Sequence, residues 1–269
     1  MEFTFDMNEM TQSMGVDFGD GAGTVPAHQH PKGGGWVADT AKVDPDCYVG
    51  PSAVVFGNAK VYENAIINDY SRVYGEAQVY GSAKIYGNAE VYDIAHVCDN
   101  ARVSGNSRVY QNARVINNAM VHDNAEVYGN AIVRNNAEVF NNCKIYNNAD
   151  VYDSIKIYDN CEVTRKPKAF FGFDYNVIMT DYHVSIGCVS FPPSLIETTG
   201  KRIIRLMKYS PEITEKYVTT MRYIADFHGC VDRPEDLENF NERKLIMEDR
   251  KSTRLNSSHL GISYAVFCL

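Results

Sequence analysis

Histidines and cysteines that could act together are few in this chain, and most lie in its second half. His183 and Cys188 are separated by four residues, and His228 and Cys230 by one. If a helix end met a strand, these four would make the two-His, two-Cys donor set of a tetrahedral zinc site. The spacings follow no zinc-finger pattern, and ordinary packing and helix capping account for the same residues. Earlier in the chain, His96 and His122 are the two imidazoles of a long periodic stretch. His122 is the better placed of them for general-base chemistry, although a surface His without a partner is ordinarily just solvated. His28 and His30 are two apart without further ligands, which is thin support for a metal ion. The last chemically suggestive set is aromatic: Phe56, Tyr74, Tyr92, Tyr110, Tyr128 and Tyr146 recur every 18 residues. Such a column would serve either as a stacking platform for sugars and other flat ligands or as a self-stabilised outer face.

The element that must carry these residues is a six-residue unit repeated in one register from Val37 to Glu162, 21 hexads without an inserted or deleted residue. This period outranks every other signal in the chain. Position one is always Val or Ile. Position five is Ala, Ser or Cys everywhere except Ile155, with Cys47, Ser71, Ser107, Cys143 and Cys161 replacing the usual Ala. Positions five and one are two apart, so on a strand both face inward, while positions six and two face outward. Positions three and four are mostly Gly, Asn, Asp and Ser, which tolerate positive φ and close tight corners. Three strands and three corners therefore return the chain to its start after 18 residues. The result is a triangular prism of seven coils, about 4.8 Å per coil.

Sorting outward positions by face places the Phe56 to Tyr146 series on one face. Beside it run Arg72, Glu90, Arg108, Glu126, Lys144 and Glu162, alternating in sign. Scattered apolar residues mark the other faces, among them Ile116 and Ile132 on one and Met120 and Phe140 on the next. Ile116 and Met120 flank a single corner, with Ile132 and Phe140 beside it.

Hexads of the form aliphatic-x-x-x-small-x, as in GNAKVY, GSAKIY, GNAEVY and DNAEVY, resemble the bacterial transferase hexapeptide family of the trimeric LpxA-like superfamily. The resemblance covers nearly half the chain. It implies a left-handed parallel β-helix, a hand it must supply because ordinary crossovers are right-handed. It also implies a homotrimer, for which the Ile116 and Met120 corner, with Ile132 and Phe140, is the expected packing surface. For activity it implies either a structural or binding scaffold or a CoA-dependent acyltransferase with its site at a subunit interface, where acyl-CoA would be the cofactor and His122 the base. Such enzymes often have a loop interrupting the coils, and none interrupts these. γ-Type carbonic anhydrases, also in the superfamily, need three His ligands, and the coils lack that pattern. Because one fold hosts many activities, the resemblance does not choose among them.

Composition narrows the setting. The chain carries a net charge of −8. Residues 249–269, beginning DRKSTRLNSSH and ending ISYAVFCL, resemble a translated short-read sequencing adapter and are set apart from fold reasoning. Without Arg250, Lys251, Arg254 and Asp249 the balance is 23 basic against 33 acidic residues, a net −10. Nucleic-acid binding is therefore not expected. No apolar run reaches the roughly 20 residues of a membrane span. The six cysteines that remain once Cys268 of that tail is set aside show no regular framework and suit a reducing compartment, a bacterial or phage-infected cytosol. Cys143 and Cys161 are 18 apart, a coil spacing compatible with a disulfide, but the reading adopted is two thiols acting as small apolar residues.

Four segments are expected: a flexible leader over 1–34, the β-helix over 35–163, a small α+β module over 164–248, and the adapter-like tail. Trp36 is expected to lid the open end of the prism. In the module, strands are read over 169–173, 177–182 and 184–191. Helices are read over 199–209 and from Ser210, as cap, to Gly229, the second burying a face of Ile213, Tyr217, Ile224 and His228. The DYHVSIGC stretch is similar to a short module that follows hexapeptide arrays in some phage and gut-bacterial proteins. Lys201, Arg202, Arg205 and Lys208 make the first helix basic, a solvated face.

Overall fold

The computed structural model describes residues 13–158, 160–170, 177–186, 189–206, 209–234 and 237. The chain divides into two compact units, Met1–Asn160 and Cys161–Leu269. The adapter-like tail lies outside the described residues, as do Cys188, Lys208 and the first twelve residues.

The first unit is a parallel β-helix built as the hexads require. Its first face stacks Trp36–Ala38, Val54–Val55, Arg72–Val73, Glu90–Val91, Arg108–Val109, Glu126–Val127 and Lys144–Ile145. The second face runs from Lys42–Val43 to Asp150–Val151, and the third from Tyr48–Val49 to Lys156–Ile157. Each strand pairs in register with the one 18 residues on, as Arg72 with Glu90 and Val73 with Val91. The inward columns are sealed: Val61, Ala77, Val79, Ala101 and Cys143 are all 0% exposed.

The corners explain why the period never slips. From Gly57 to Asp153, the third position of every hexad takes a positive φ of 55–73°. That conformation suits Gly, Asn and Asp and is costly for most other side chains. In the first coil Pro45 and Pro51 occupy this position, and proline's fixed negative φ requires a different turn there. The fourth-position side chains then hydrogen-bond from coil to coil. The chain of amides Asn88, Asn106, Asn124, Asn142 and Asn160 joins Nδ2 to Oδ1 at 3.0–3.1 Å. The other two corners carry similar ladders, Asn100 to Asn118 to Asn136 and Asn112 to Asn130 to Asn148.

The leader expectation fails for the described part of residues 1–34. Met14–Asp17 and Thr24–Gln29 form an antiparallel hairpin, and the second of these strands pairs antiparallel with Trp36–Ala38. The hairpin thereby covers the first strand edge of the β-helix, an edge that would otherwise invite pairing with another chain. Trp36 accordingly is not an end lid. It projects from the outer surface and packs with Phe18, Ala27, Ala38 and Phe56. His30 is buried, with Nε2 3.1 Å from the Asp44 carbonyl and Nδ1 3.3 Å from the Lys32 amide, and His28 pairs with Asp39 at 2.8 Å. Both imidazoles hold local structure.

The second unit contains an antiparallel sheet in the order Lys168–Phe170, Val177–Met179, Val184–Ile186, Val189–Phe191. The stretch read as one strand over 184–191 is thus two paired strands. A 3-10 turn, Pro193–Leu195, and a π-turn, Ile196–Gly200, lead into helix α1, Lys201–Leu206, and then α2, Pro211–His228. The Ser210 hydroxyl caps α2 by accepting from the Ile213 amide, and Gly229 ends it at φ 62°. The buried face of α2 is Thr214, Val218, Met221 and Ala225, whereas Ile213 is 42% exposed. Tyr217 and Ile224 of the expected face pack against this core, Ile213 does not, and the His228 side chain lies outside the described residues. Among the described residues no helix is long and apolar enough to cross a membrane.

Candidate functional site

The second residue of each third-face hexad forms a column that includes Tyr86, Ser104, His122, Phe140 and Tyr158. Below Ser104 the rings stack: His122 on Phe140 at 5.1 Å between centroids and 3° between planes, and Phe140 on Tyr158 at 5.6 Å. At Ser104 the column lacks a ring. A groove of about 300 Å³ opens there, lined by Tyr86, Arg102, Ser104, Met120, His122 and Asp123.

His122 is firmly held. Its Nε2 lies 3.1 Å from Glu138 Oε1, and its Nδ1 lies 3.3 Å from Asp123 Oδ2. Glu138 also takes the Lys156 ammonium at 2.6 Å. Burial pushes the Glu138 carboxyl up, but the hydrogen bonds from Lys156 and His122 outweigh it and hold the group below its ordinary value. A carboxylate thus stands beside each ring nitrogen of His122, with Glu138 in hydrogen-bond contact with Nε2. Met120, on the strand that leads into His122, lines the same groove.

The first-face aromatic column is continuous. Phe56, Tyr74, Tyr92, Tyr110, Tyr128 and Tyr146 stack at 4.8–5.0 Å with planes within 8°. Phe18 of the hairpin extends it, 4.8 Å above Phe56. Each interior ring thus has a neighbour on both faces, the arrangement of a self-stabilised outer face. Arg72 is held against this column, its guanidinium 5.2 Å from the Phe56 centroid and donating to the Phe18 carbonyl at 2.8 Å. Burial, and then the nearby Glu90 charge, push the Tyr74 phenol up to about 12, and burial with Glu126 raises Tyr110. Tyr110 stays protonated and donates to Glu126 at 3.2 Å. The charge column is in register as expected, with Arg108 between Glu90 and Glu126 at 3.8 and 3.9 Å.

The proposed oligomer residues are dispersed. Ile116 and Met120 are half-buried on either side of their corner. Ile132 lies between Arg114 and Asp150 on the second face, and Phe140 is sandwiched between the His122 and Tyr158 rings. Sequence reading missed a further stack on the second face, Tyr62 on Tyr80 at 4.8 Å, which the same 18-residue sorting would have revealed.

In the module the four proposed zinc donors cannot be assembled from what is described: Cys188 and the His228 side chain lie outside the described residues. His183 is buried at a turn in which the Thr180 hydroxyl accepts from its amide. The Cys230 thiol donates to the Thr180 carbonyl at 3.2 Å, and burial raises its pKa against the smaller opposing effect of Arg165. Among the described residues no group of three or more His, Cys, Asp and Glu side chains could hold a metal ion. A cavity of about 60 Å³ beside Cys230 is bordered by Asp181, whose carboxylate is taken up by Thr164 and Arg165.

Comparison with family models, curated proteins and solved structures finds no match to this chain.

Proposed function

We propose that this protein is a non-enzymatic scaffold. The β-helix serves as a rigid spacer, homotrimeric through the Ile116 and Met120 corner, and the C-terminal module serves for binding or assembly. The observation that carries this reading is the continuity of the coils: every corner from Gly57 to Asp153 repeats the same backbone turn, and no coil carries an inserted loop. In a repeat array such units stabilise one another without a site. Seven coils of about 4.8 Å give a rod roughly 33 Å long. Light scattering tests the assembly, with a trimer mass expected and a monomer at all concentrations overturning it.

A second reading, CoA-dependent acyl transfer at a subunit interface, draws on the groove beside His122. Calorimetry with acetyl-CoA and an assay of acyl transfer separate the two. The scaffold reading expects no acyl transfer, whether or not acetyl-CoA binds. Binding accompanied by acyl transfer that His122→Ala abolishes would replace it.

A further inference from the structure

We propose that the break at Ser104 is a binding slot for a planar aromatic ring carrying an anionic group. The argument starts from the spacing of the ladders. Neighbouring rings in the aromatic columns stand 4.8–5.6 Å apart. Tyr86 and His122 hold the same hexad position two coils apart, so about 9.6 Å separates them. Between them stands only the short side chain of Ser104, 9% exposed at the base of the groove. The vacancy is one ring thick. A flat ligand centred there would lie about 4.8 Å from each wall, the separation at which this protein stacks its own rings.

A second and independent observation identifies the charge. Lys84 and Arg102 are register partners on adjacent strands of this face, and the next partner along is Met120. Like charges directly opposite one another destabilise a sheet. On the first face every cation of the corresponding column from Arg72 to Lys144 has a Glu as register partner. Among the described residues neither Lys84 nor Arg102 is within ion-pair distance of a carboxylate. Arg102 lines the slot, two residues before Ser104 and therefore about 6.6 Å along the strand. An anion attached to the inserted ring would bridge the two cations and supply the missing negative charge of this column. A phosphate and a carboxylate share this chemistry.

The test is calorimetry on the full chain with adenosine monophosphate and benzoate, against adenosine and inorganic phosphate as ring-only and anion-only controls. Saturable binding of at least one aromatic anion, on the order of tenfold tighter than either control, is expected. Which of the two binds tells phosphate from carboxylate. Ser104→Tyr places the ladder's own ring in the vacancy, so it should abolish this binding while raising Tm. Arg102→Gln should lower aromatic-anion affinity about tenfold and leave adenosine unchanged. No saturable binding of either anion, or binding undiminished in a folded Ser104→Tyr protein, would overturn the proposal.

Discussion

In the β-helix a side chain at a given hexad position meets nearly the same neighbours coil after coil, whereas in the module each buried side chain has a setting of its own. Val79 is packed as Val61 and Val97 are, and all three are 0% exposed. Phe191, also 0% exposed, joins Met179, Ile203, Ile204 and Met221 in a core that occurs once. The difference concerns where stability resides. Repetition spreads it over many small nearest-neighbour interactions, while a single core concentrates it in a few large side chains.

The sharpest way to break this comparison is Phe191→Ala. Truncation of a fully buried aromatic costs about 3–5 kcal/mol. Hydrogen exchange should show module amides losing protection while β-helix amides keep theirs, and equal losses in both would contradict the contrast. Next is Ala101→Leu, in an inward column with no spare volume. Overpacking should destabilise the β-helix by about 1–3 kcal/mol in denaturant titrations. An unchanged midpoint would mean that the prism interior is looser than its burial implies.

Smaller effects probe the ladders. Tyr110→Ser removes a ring stacked on both Tyr92 and Tyr128. A loss of about 1–2 kcal/mol is expected, and Tyr110→Phe, which keeps the stack, should lose less. The smallest effect is alkaline. Tyr74 has its pKa raised in the folded state from 10.0 to about 12. Its contribution is therefore fully present below pH 10.0 and is lost as pH rises toward about 12. Phenolate absorbance should show a late-titrating component to which Tyr74 contributes with Tyr110, and Tyr74→Phe should lower its amplitude by one phenol.

Much of the β-helix was legible before any coordinates because its information is local and repeated. Inward and outward positions, corner residues and the register of Arg72 with Glu90 all follow from alternation along a strand and closure after 18 residues. The hairpin of Met14–Asp17 and Thr24–Gln29 was not legible, since it shares no period with the coils and is defined by its pairing to Trp36–Ala38. The α2 face was read correctly at Tyr217 and Ile224 but not at Ile213, for a different reason. Thr214 is buried with its hydroxyl bonded to the Ser210 carbonyl at 2.9 Å, so a polar residue occupies the core stripe while Ile213 faces solvent.

The candidate site divides along the same line. Sequence alone put His122 outside the prism and the Tyr series in one column, because both depend only on position within the hexad. Only the tertiary structure decided that the interior rings of that column spend their faces on one another, that His122 lies between Asp123 and Glu138, and that a groove opens at Ser104. Those properties depend on how far apart side chains on successive coils actually stand. Residue type and spacing set which side chains can meet, but the packed coils set what each of them has left to offer a ligand.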